Sequence, residues 1–290
     1  MTGTAAALAG TPGRLRSLRT SDPVMTIAIV ILGLLVAASL AGRLIPGLND
    51  GTSTVGGRFE APSLAHPLGT DSLGRSLLAR LLEGIGTTFL LSAVAVLCTA
   101  VIATALGIVA AYAGGWVREL VQRLGDVLYA FPAILLALLV AAAIGPGSTA
   151  ALASIVLVTV PLMTRMVTAA AADVARRDFV TSARISGVAA PVIMVRHLLT
   201  CVSGTVVVQG TYALSVAILV EGGLSFLGYG VQLPASSLGL LVSEGNVYLL
   251  TAPWILIAAG STMVLAILAV TLVGDALRDR LEPREAVDLT

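Results

Sequence analysis

The stretch Thr88-Phe89-Leu90-Leu91-Ser92-Ala93-Val94-Ala95-Val96-Leu97-Cys98-Thr99-Ala100-Val101-Ile102-Ala103-Thr104-Ala105-Leu106-Gly107-Ile108-Val109-Ala110-Ala111-Tyr112 contains no Asp, Glu, Lys or Arg. A helix needs about 20 apolar residues to cross a hydrocarbon core of ~30 Å, and this run is long enough. It lacks the period-two alternation of a barrel strand, so a helix is the structure that satisfies its backbone in lipid. Five further runs resemble it, at residues 24–41, 127–144, 149–171, 202–224 and 253–273. The expected fold class is therefore an all-α integral membrane protein with six transmembrane helices.

Composition agrees. Apolar residues make up 57% of the chain and charged residues 11%, too few charges to cover the surface of a water-soluble domain, and mean hydropathy is +0.99. All 17 basic residues are arginine. Without lysine the chain has no P-loop and no lysine nucleophile, so any ATP use must lie on another polypeptide. Cys98 and Cys201 lie in or beside apolar runs and form no metal-binding pair, and His66 and His197 are the only histidines. No nucleic-acid partner is expected.

Arginine placement sets the topology, because basic loops stay in the cytoplasm. Arg14, Arg16 and Arg19 precede the first run, Arg118 and Arg123 follow the second, and Arg176, Arg177, Arg184 and Arg196 separate the fourth from the fifth. Arg278, Arg280 and Arg284 end the chain, whereas residues 145–148 carry no charge and residues 225–252 carry only Glu244. Both termini are expected inside. The outer segment before the second run departs from the pattern, with Arg43, Arg58, Arg75 and Arg80 set among Asp50, Glu60, Asp71 and Glu83. Residues 38–41, Ala-Ser-Leu-Ala, imitate a signal-peptide cleavage site, but the apolar run before them is longer than a signal peptide's, so a retained anchor is expected. Tyr112, Trp116 and Tyr129 are placed at the inner interface, and Tyr248 and Trp254 at the outer one.

Past an outer linker at residues 46–57, His66-Pro67-Leu68-Gly69-Thr70-Asp71-Ser72-Leu73-Gly74-Arg75 reads as a turn and a helix start capped by Thr70 or Asp71. Leu73, Leu77, Leu78, Leu81 and Leu82 share one face, which predicts an amphipathic helix on the outer surface. Asp71 and Arg75 then serve either as structural residues or as solute contacts. Ala103, Gly107, Ala111 and Gly115 form a four-residue repeat of small side chains, suited to close helix packing or to lining a path.

Residues 172–200 interrupt the apolar pattern with charge. Asp178 is a plausible helix cap, Gly187 a helix stop, and Pro191 the start of a second helix, so two short helices joined at a turn are expected. Within the spans, Glu221 beside Gly222 and Gly223 could orient an outer loop, meet a solute amine or serve as a structural hydrogen-bonding group. Arg165 can snorkel to the inner interface, and Asp126 and Asp275 read as helix-end residues.

This charged loop resembles the EAA coupling loop of bacterial ABC-importer permeases, with Gly187 at its fixed glycine. The chain is similar to one branch of that family, the dipeptide, oligopeptide and nickel importers, as their second, C-type permease. The branch signatures run in order as residues 66–75, Ala113-Gly114-Gly115-Trp116, Leu224-Ser225-Phe226-Leu227-Gly228, Gly274-Asp275-Ala276-Leu277-Arg278-Asp279 and Glu282-Pro283. The chain departs from it at three places: Thr181-Ser182-Ala183 replaces Glu-Ala-Ala, Thr200 replaces a proline, and Leu238 replaces a tryptophan.

The resemblance implies a type I importer permease fold in the bacterial inner membrane. Residues 1–85 would hold the N-terminus, first span (about 24–42) and outer linker, residues 86–275 a five-helix permease core with its coupling loop, and residues 276–290 a cytoplasmic tail. It implies ATPase coupling through Asp178, Thr181, Ser182, Ala183, Arg184 and Gly187, and a possible pathway or outer gate at Glu221, Ser225 and Phe226. The implied partners are a companion permease forming a heterodimer, two ATP-binding subunits carrying ATP and magnesium, and an extracytoplasmic solute-binding protein. This chain itself is expected to hold no cofactor, metal or catalytic residue. Peptides are the expected cargo, nickel or another small solute the alternative, and an ATP-independent transporter or channel the rival class.

Overall fold

Long apolar helices carry the molecule, as its composition demands. A computed structural model describes residues 23–45 and 51–281. The arginines at positions 14, 16, 19 and 284, the signature Glu282-Pro283, Asp50 and residues 46–50 of the linker lie outside the described residues.

Helix α1, Pro23–Leu44, begins with proline at its first position, where the missing N–H has no partner to lose. It buries only Ala28, Ser39 and Gly42. A Cβ at Gly42 would lie 2.6 Å from Leu82 Cβ, so glycine permits its close approach to α2, Leu77–Ala113. Ser76 caps α2, and its Oγ accepts from the Ala79 N–H at 3.4 Å.

This corrects the expected surface helix. Asp71 and Arg75 precede α2 as loop residues rather than forming a separate amphipathic helix. Leu77, Leu81 and Leu82 belong to the first turns of a 37-residue helix and are buried against protein, while Leu73 is exposed.

Gly114 ends α2 at φ +62°, a conformation that glycine adopts without a Cβ clash. Helix α3, Gly115–Tyr129, contains no buried residue. Residues 130–132, Ala-Phe-Pro, then bend the chain by 90° into α4, Ala133–Ile144. Pro132 has no N–H and restricts Phe131, so the helix cannot run through. The continuous span expected at 127–144 is thus a broken one, and Asp126 lies in α3 before the bend.

Helix α5, Ser148–Ala175, contains Pro161. Helix α6 is Asp178–Ile185. Helix α7, Ala190–Ile193, continues through a π-helical turn, Met194–Leu199, into α8, Thr200–Phe226, as one apolar helix. The second short helix expected in the charged loop is therefore the start of a span. Helix α9, Leu238–Val247, and helix α10, Pro253–Leu281, complete the described chain. Asp275 is inside α10 rather than after it, and its Oδ1 accepts from the Tyr212 hydroxyl at 2.6 Å.

Helices α2 and α5 form the most extensive pair, α8 lies against both, and α10 joins α8, α9 and α1. Buried apolar clusters succeed one another along α2. Leu77, Leu81 and Ile85 pack with Leu238, Leu241 and Ile255; Ala95 packs with Ala137, Ile155 and Leu224; and Ala103 and Ile108 pack with Val167, Val180 and Leu198. Among the described residues, five helices are long and apolar enough to span a membrane, and the α3–α4 pair would make a sixth.

Of the small-residue repeat, Ala103 and Gly107 meet α5, whereas Gly115 lies past the end of α2. A Cβ at Gly107 would stand 2.8 Å from Val167 Cγ1 and 3.1 Å from the Thr168 nitrogen. Gly107→Leu should therefore cost about 1–3 kcal/mol through overpacking. Thermal unfolding in detergent checks this, and a variant as stable as the parent would refute the close α2–α5 seam.

Candidate functional site

Two polar constructions stand at opposite ends of the helical body. At the inner end, α5 stops at Arg176 and the extended Arg177 leads into α6. Asp178 is the first residue of α6, not its cap, and its negative charge lies in the first turn, where the helix dipole favours it. Val180 is fully buried among Val174, Ile193 and Leu198 and pins α6 to the ends of α5 and α8. Ala183 packs at the edge of this cluster.

Thr181, Ser182, Arg184 and Ile185 project from α6 into solvent, and Ile185 is 83% exposed. After Ser186, Gly187 adopts φ +76°, with its N–H on the Arg184 carbonyl at 3.0 Å and the Val188 N–H on the Ala183 carbonyl at 3.1 Å. This terminates α6 as its sequence predicts, and the requirement for glycine is conformational, since no atom lies within 4 Å of a Cβ built there.

The Arg184 guanidinium stands 4.4 Å from the Tyr112 ring centroid, and its Nη2 donates to the Tyr112 carbonyl at 3.4 Å. Phe179 and His197 place their rings 5.9 Å apart. Helix α6 is thus tied to the end of α2 as well as to α5 and α8. Thr200 sits where the helix is continuous, its Oγ1 donating to the Arg196 carbonyl at 3.0 Å.

At the outer end, Arg80 is fully buried at the start of α2. Its Nη1 donates to Asp71 Oδ2 at 2.8 Å, its Nη2 to Glu244 Oε1 at 2.8 Å and its Nε to Ser236 Oγ at 3.2 Å. Asp71 also accepts from Arg75 Nε at 2.7 Å and from the N–H groups of Leu73 and Arg75. Burial alone would raise the Asp71 carboxyl, but those two N–H groups, the Arg75 guanidinium and the charge of Arg80 hold it below its ordinary value.

The same face of α2 continues inward. A Cβ at Gly84 would be 3.1 Å from the Ser237 carbonyl carbon, and Thr88 Oγ1 accepts from the Leu238 N–H at 3.1 Å. Arg80, Gly84 and Thr88, each four residues apart, therefore grip residues 236, 237 and 238 in turn. Glu221 of α8 joins them, accepting from Thr88 Oγ1 at 2.9 Å and from Ser225 Oγ at 2.6 Å. Ser225 Oγ in turn accepts from the Val231 N–H at 3.0 Å.

Glu221 and Ser225 are thus buried members of one hydrogen-bonded knot that fixes the loop after α8. The Phe226 ring is half exposed outside it, and its carbonyl accepts from Ser243 Oγ at 2.9 Å. Arg80, Thr88, Ser236 and Glu244 were missed as site residues. Their signal in sequence is weak: Arg80 is a charge at the mouth of an apolar run, and Glu244 the one charge of its segment.

The model of binding-protein-dependent transport system inner membrane components matches residues 103–287. The chain belongs to this family. It is 30% identical to the dipeptide transport system permease protein DppC of Alkalihalophilus pseudofirmus, over 89% of this chain and 85% of that protein. It is 33% identical to the glutathione transport system permease protein GsiD of Escherichia coli, over 93% of this chain and 89% of that one. An inward-facing structure of the MetNI methionine ABC transporter matches its fold with a TM-score of 0.58 at 17% identity, covering 70% of this chain and 96% of the MetNI chain. The knot and the hairpin are therefore features of an inner-membrane transport component.

Arg80→Met alone should cost about 3–5 kcal/mol, because it strands Glu244 in a largely buried position. The double variant Arg80→Met with Glu244→Leu should recover much of that loss in thermal unfolding; a double variant as unstable as the sum of the singles would refute the pairing. Since the Asp71 pKa is lowered on folding, its contribution is complete above the ordinary value of 3.8 and declines as pH falls through the lower folded value. Hydrogen exchange in residues 51–76 should accelerate in that acidic window, and Asp71→Asn should remove the dependence.

Proposed function

We propose that this chain is the peptide-translocating permease subunit of an ATP-driven importer, in which α6 is the mechanical contact for a separate ATPase. The observation that carries the reading is the contrast within α6. One face is sealed by Val180, while Thr181, Ser182, Arg184 and Ile185 are presented to solvent at the end of the body where arginine marks the cytoplasm. Ile185 and Val188, exposed on either side of Gly187, add apolar surface at this end of the molecule.

In this proposal residues 1–85 form the anchor and outer clasp, residues 86–275 the permease core and residues 276–290 the cytoplasmic tail. A companion permease completes the pathway as a heterodimer, two ATPase subunits carry ATP and magnesium, and an extracytoplasmic binding protein delivers cargo. Peptide as the cargo class is supported by the names of the dipeptide and glutathione relatives. The absence of lysine supports the view that this chain performs no nucleotide chemistry.

The movement is a population shift. Closure of the ATPases on ATP favours one arrangement of the hairpins over the other, and a few kcal/mol of differential affinity suffices to invert the equilibrium. Asp178 and Gly187 define the two ends of the contacting helix, and Thr181, Ser182, Ala183 and Arg184 its surface.

Gly187→Val forces a β-branched residue to φ +76° with no steric relief to gain. ATP-dependent peptide uptake by the reconstituted complex should fall to background while membrane insertion is retained. Ile185→Asp should weaken retention of the ATPase subunits when the complex is purified through this chain. Unchanged uptake and unchanged co-purification would overturn the assignment of α6.

A further inference from the structure

The signature Gly274-Asp275-Ala276-Leu277-Arg278-Asp279 lies in the last turns of α10, antiparallel to the first part of α8. The pairing of the two helices is fixed in one register. A Cβ built on Gly204 would stand 3.9 Å from Leu281 Cβ, and one on Gly274 would stand 2.6 Å from Thr211 Oγ1. The Tyr212 hydroxyl donates to Asp275 Oδ1 at 2.6 Å, and the Ser215 and Thr271 hydroxyls are hydrogen-bonded at 3.0 Å. Along α8 these contacts run from residue 204 to residue 215, roughly 16 Å at the helical rise per residue.

The residue types of the signature suit this seam. Gly274 is buried, and Thr211 Oγ1 is held against it by donating to the Val208 carbonyl at 2.7 Å, which leaves no room for a side chain between the helices. Asp275 lies beside it at the exposed edge, where its carboxylate takes the phenol hydrogen in a bond stronger than one between neutral groups. Arg278, three residues on, also hydrogen-bonds the Tyr212 hydroxyl. One tyrosine of α8 is thereby held by two residues of α10.

The other side of α8 is built differently. Two cavities flank Pro161 of α5, one of about 310 Å³ between α4, α5 and α8, and one of about 290 Å³ between α3 and α5. The Tyr212 ring lines the first. A close-packed seam shifts as a unit, whereas a void has forfeited the contacts that would hold its walls. Tyr212 stands between the two, its hydroxyl in the stitched seam and its ring in the wall of the open one.

We propose that Tyr212 and Asp275 are positioning residues of the transport cycle, which bind the inner part of α10 to α8 so that α10 travels with the helix that starts beside α6. This rests on the reading of α6 as the ATPase contact and adds the element that carries its movement. Relative movement then falls on the side of α8 that faces α4 and α5. The pair acts through the helices it joins rather than on the cargo.

The test uses the complete importer reconstituted in liposomes, with trialanine uptake and ATP hydrolysis measured on the same preparation. Tyr212→Phe keeps the ring in the cavity wall and removes only the hydroxyl. It should lower the trialanine imported per ATP about tenfold, the loss of one charge-assisted hydrogen bond, while hydrolysis changes less than about twofold. An unchanged ratio, or a fall of uptake and hydrolysis together, would overturn the pair. Asp275→Ala should match Tyr212→Phe, and Asp275→Asn, which retains an acceptor oxygen, should recover a substantial part of the ratio. The double variant Tyr212→Phe with Asp275→Ala should be no worse than either single, since losses that multiply would mean that the two residues act separately.

A cross-link reads the movement directly. In a background carrying Cys98→Ser and Cys201→Ser, Gly204→Cys with Leu281→Cys puts two Cβ atoms at a spacing that a disulfide accepts. The bond should form on oxidation, and the oxidised complex should import trialanine at a rate comparable to its reduced form. Failure of the bond to form, or import that stops on oxidation and returns with reductant, would refute a seam that moves as one. A parent complex that imports no trialanine with ATP would instead remove the peptide-import reading, and the cross-link yield would still report on the seam.

Discussion

A guanidinium with no exposed surface must be satisfied by the protein around it, and Arg80 is that group here. Leaving it unpaired would incur the full desolvation penalty, so Asp71, Ser236 and Glu244 are held where its fixed fork can reach them. These partners come from the outer loop, the loop before α9 and α9 itself. One side chain thereby makes three separate segments interdependent. Eight residues further along α2, Thr88 repeats the arrangement with Glu221 and the start of α9.

The consequences run the length of the molecule because the helices do. Helix α2 begins at the outer knot and carries Tyr112 in its last turn, against which Arg184 of α6 stacks. The helix from Ala190 to Phe226 begins beside α6 and ends next to Glu221 and Ser225. Each spans about 37 residues at ~1.5 Å per residue, some 55 Å in all. The hairpin that meets solvent inside and the knot that closes the loops outside are thus the two ends of the same pair of rods. Both rods are continuous helices, the second with a π-helical turn at Met194–Leu199, so the proposed contact at α6 and the outer loops are joined through helix alone.

What the sequence made legible, and what it hid, follows from the range of the forces involved. Continuous apolar runs respond to the local solvent, and five of the six appear as single long helices, two of which begin well before their expected starts, at Leu77 and Ala190. The stop at Gly187 and the opening at Pro191 are turn chemistry, equally local. Asp71 and Arg75 were misplaced because leucines at 73, 77, 78, 81 and 82 suit a lipid-facing surface and a protein-facing helix equally well, and only the α9–α10 partners decide between them. The break in the third span was written in Phe131-Pro132, but the apolar character on both sides outweighed it. The Arg80–Glu244 pair joins residues 164 apart, a distance over which no pattern in one sequence reports.

The same contrast between packed and unpacked segments says where the molecule can move. Helices α2, α5 and α8 share buried clusters from end to end, and close-packed interiors shift as units rather than deforming continuously. Helix α3 has no buried residue, and glycine at 114, the 90° bend before α4 and glycines at 145 and 147 separate the α3–α4 pair from its neighbours in the chain. Local stability follows buried contact, so α3 resists displacement little, while α4 is held by Leu136, Ala137 and Ala141. The bent pair also forms walls of both cavities along α5. In the proposed coupling, displacement of the packed helices against this wall would change the width of the two cavities that flank Pro161.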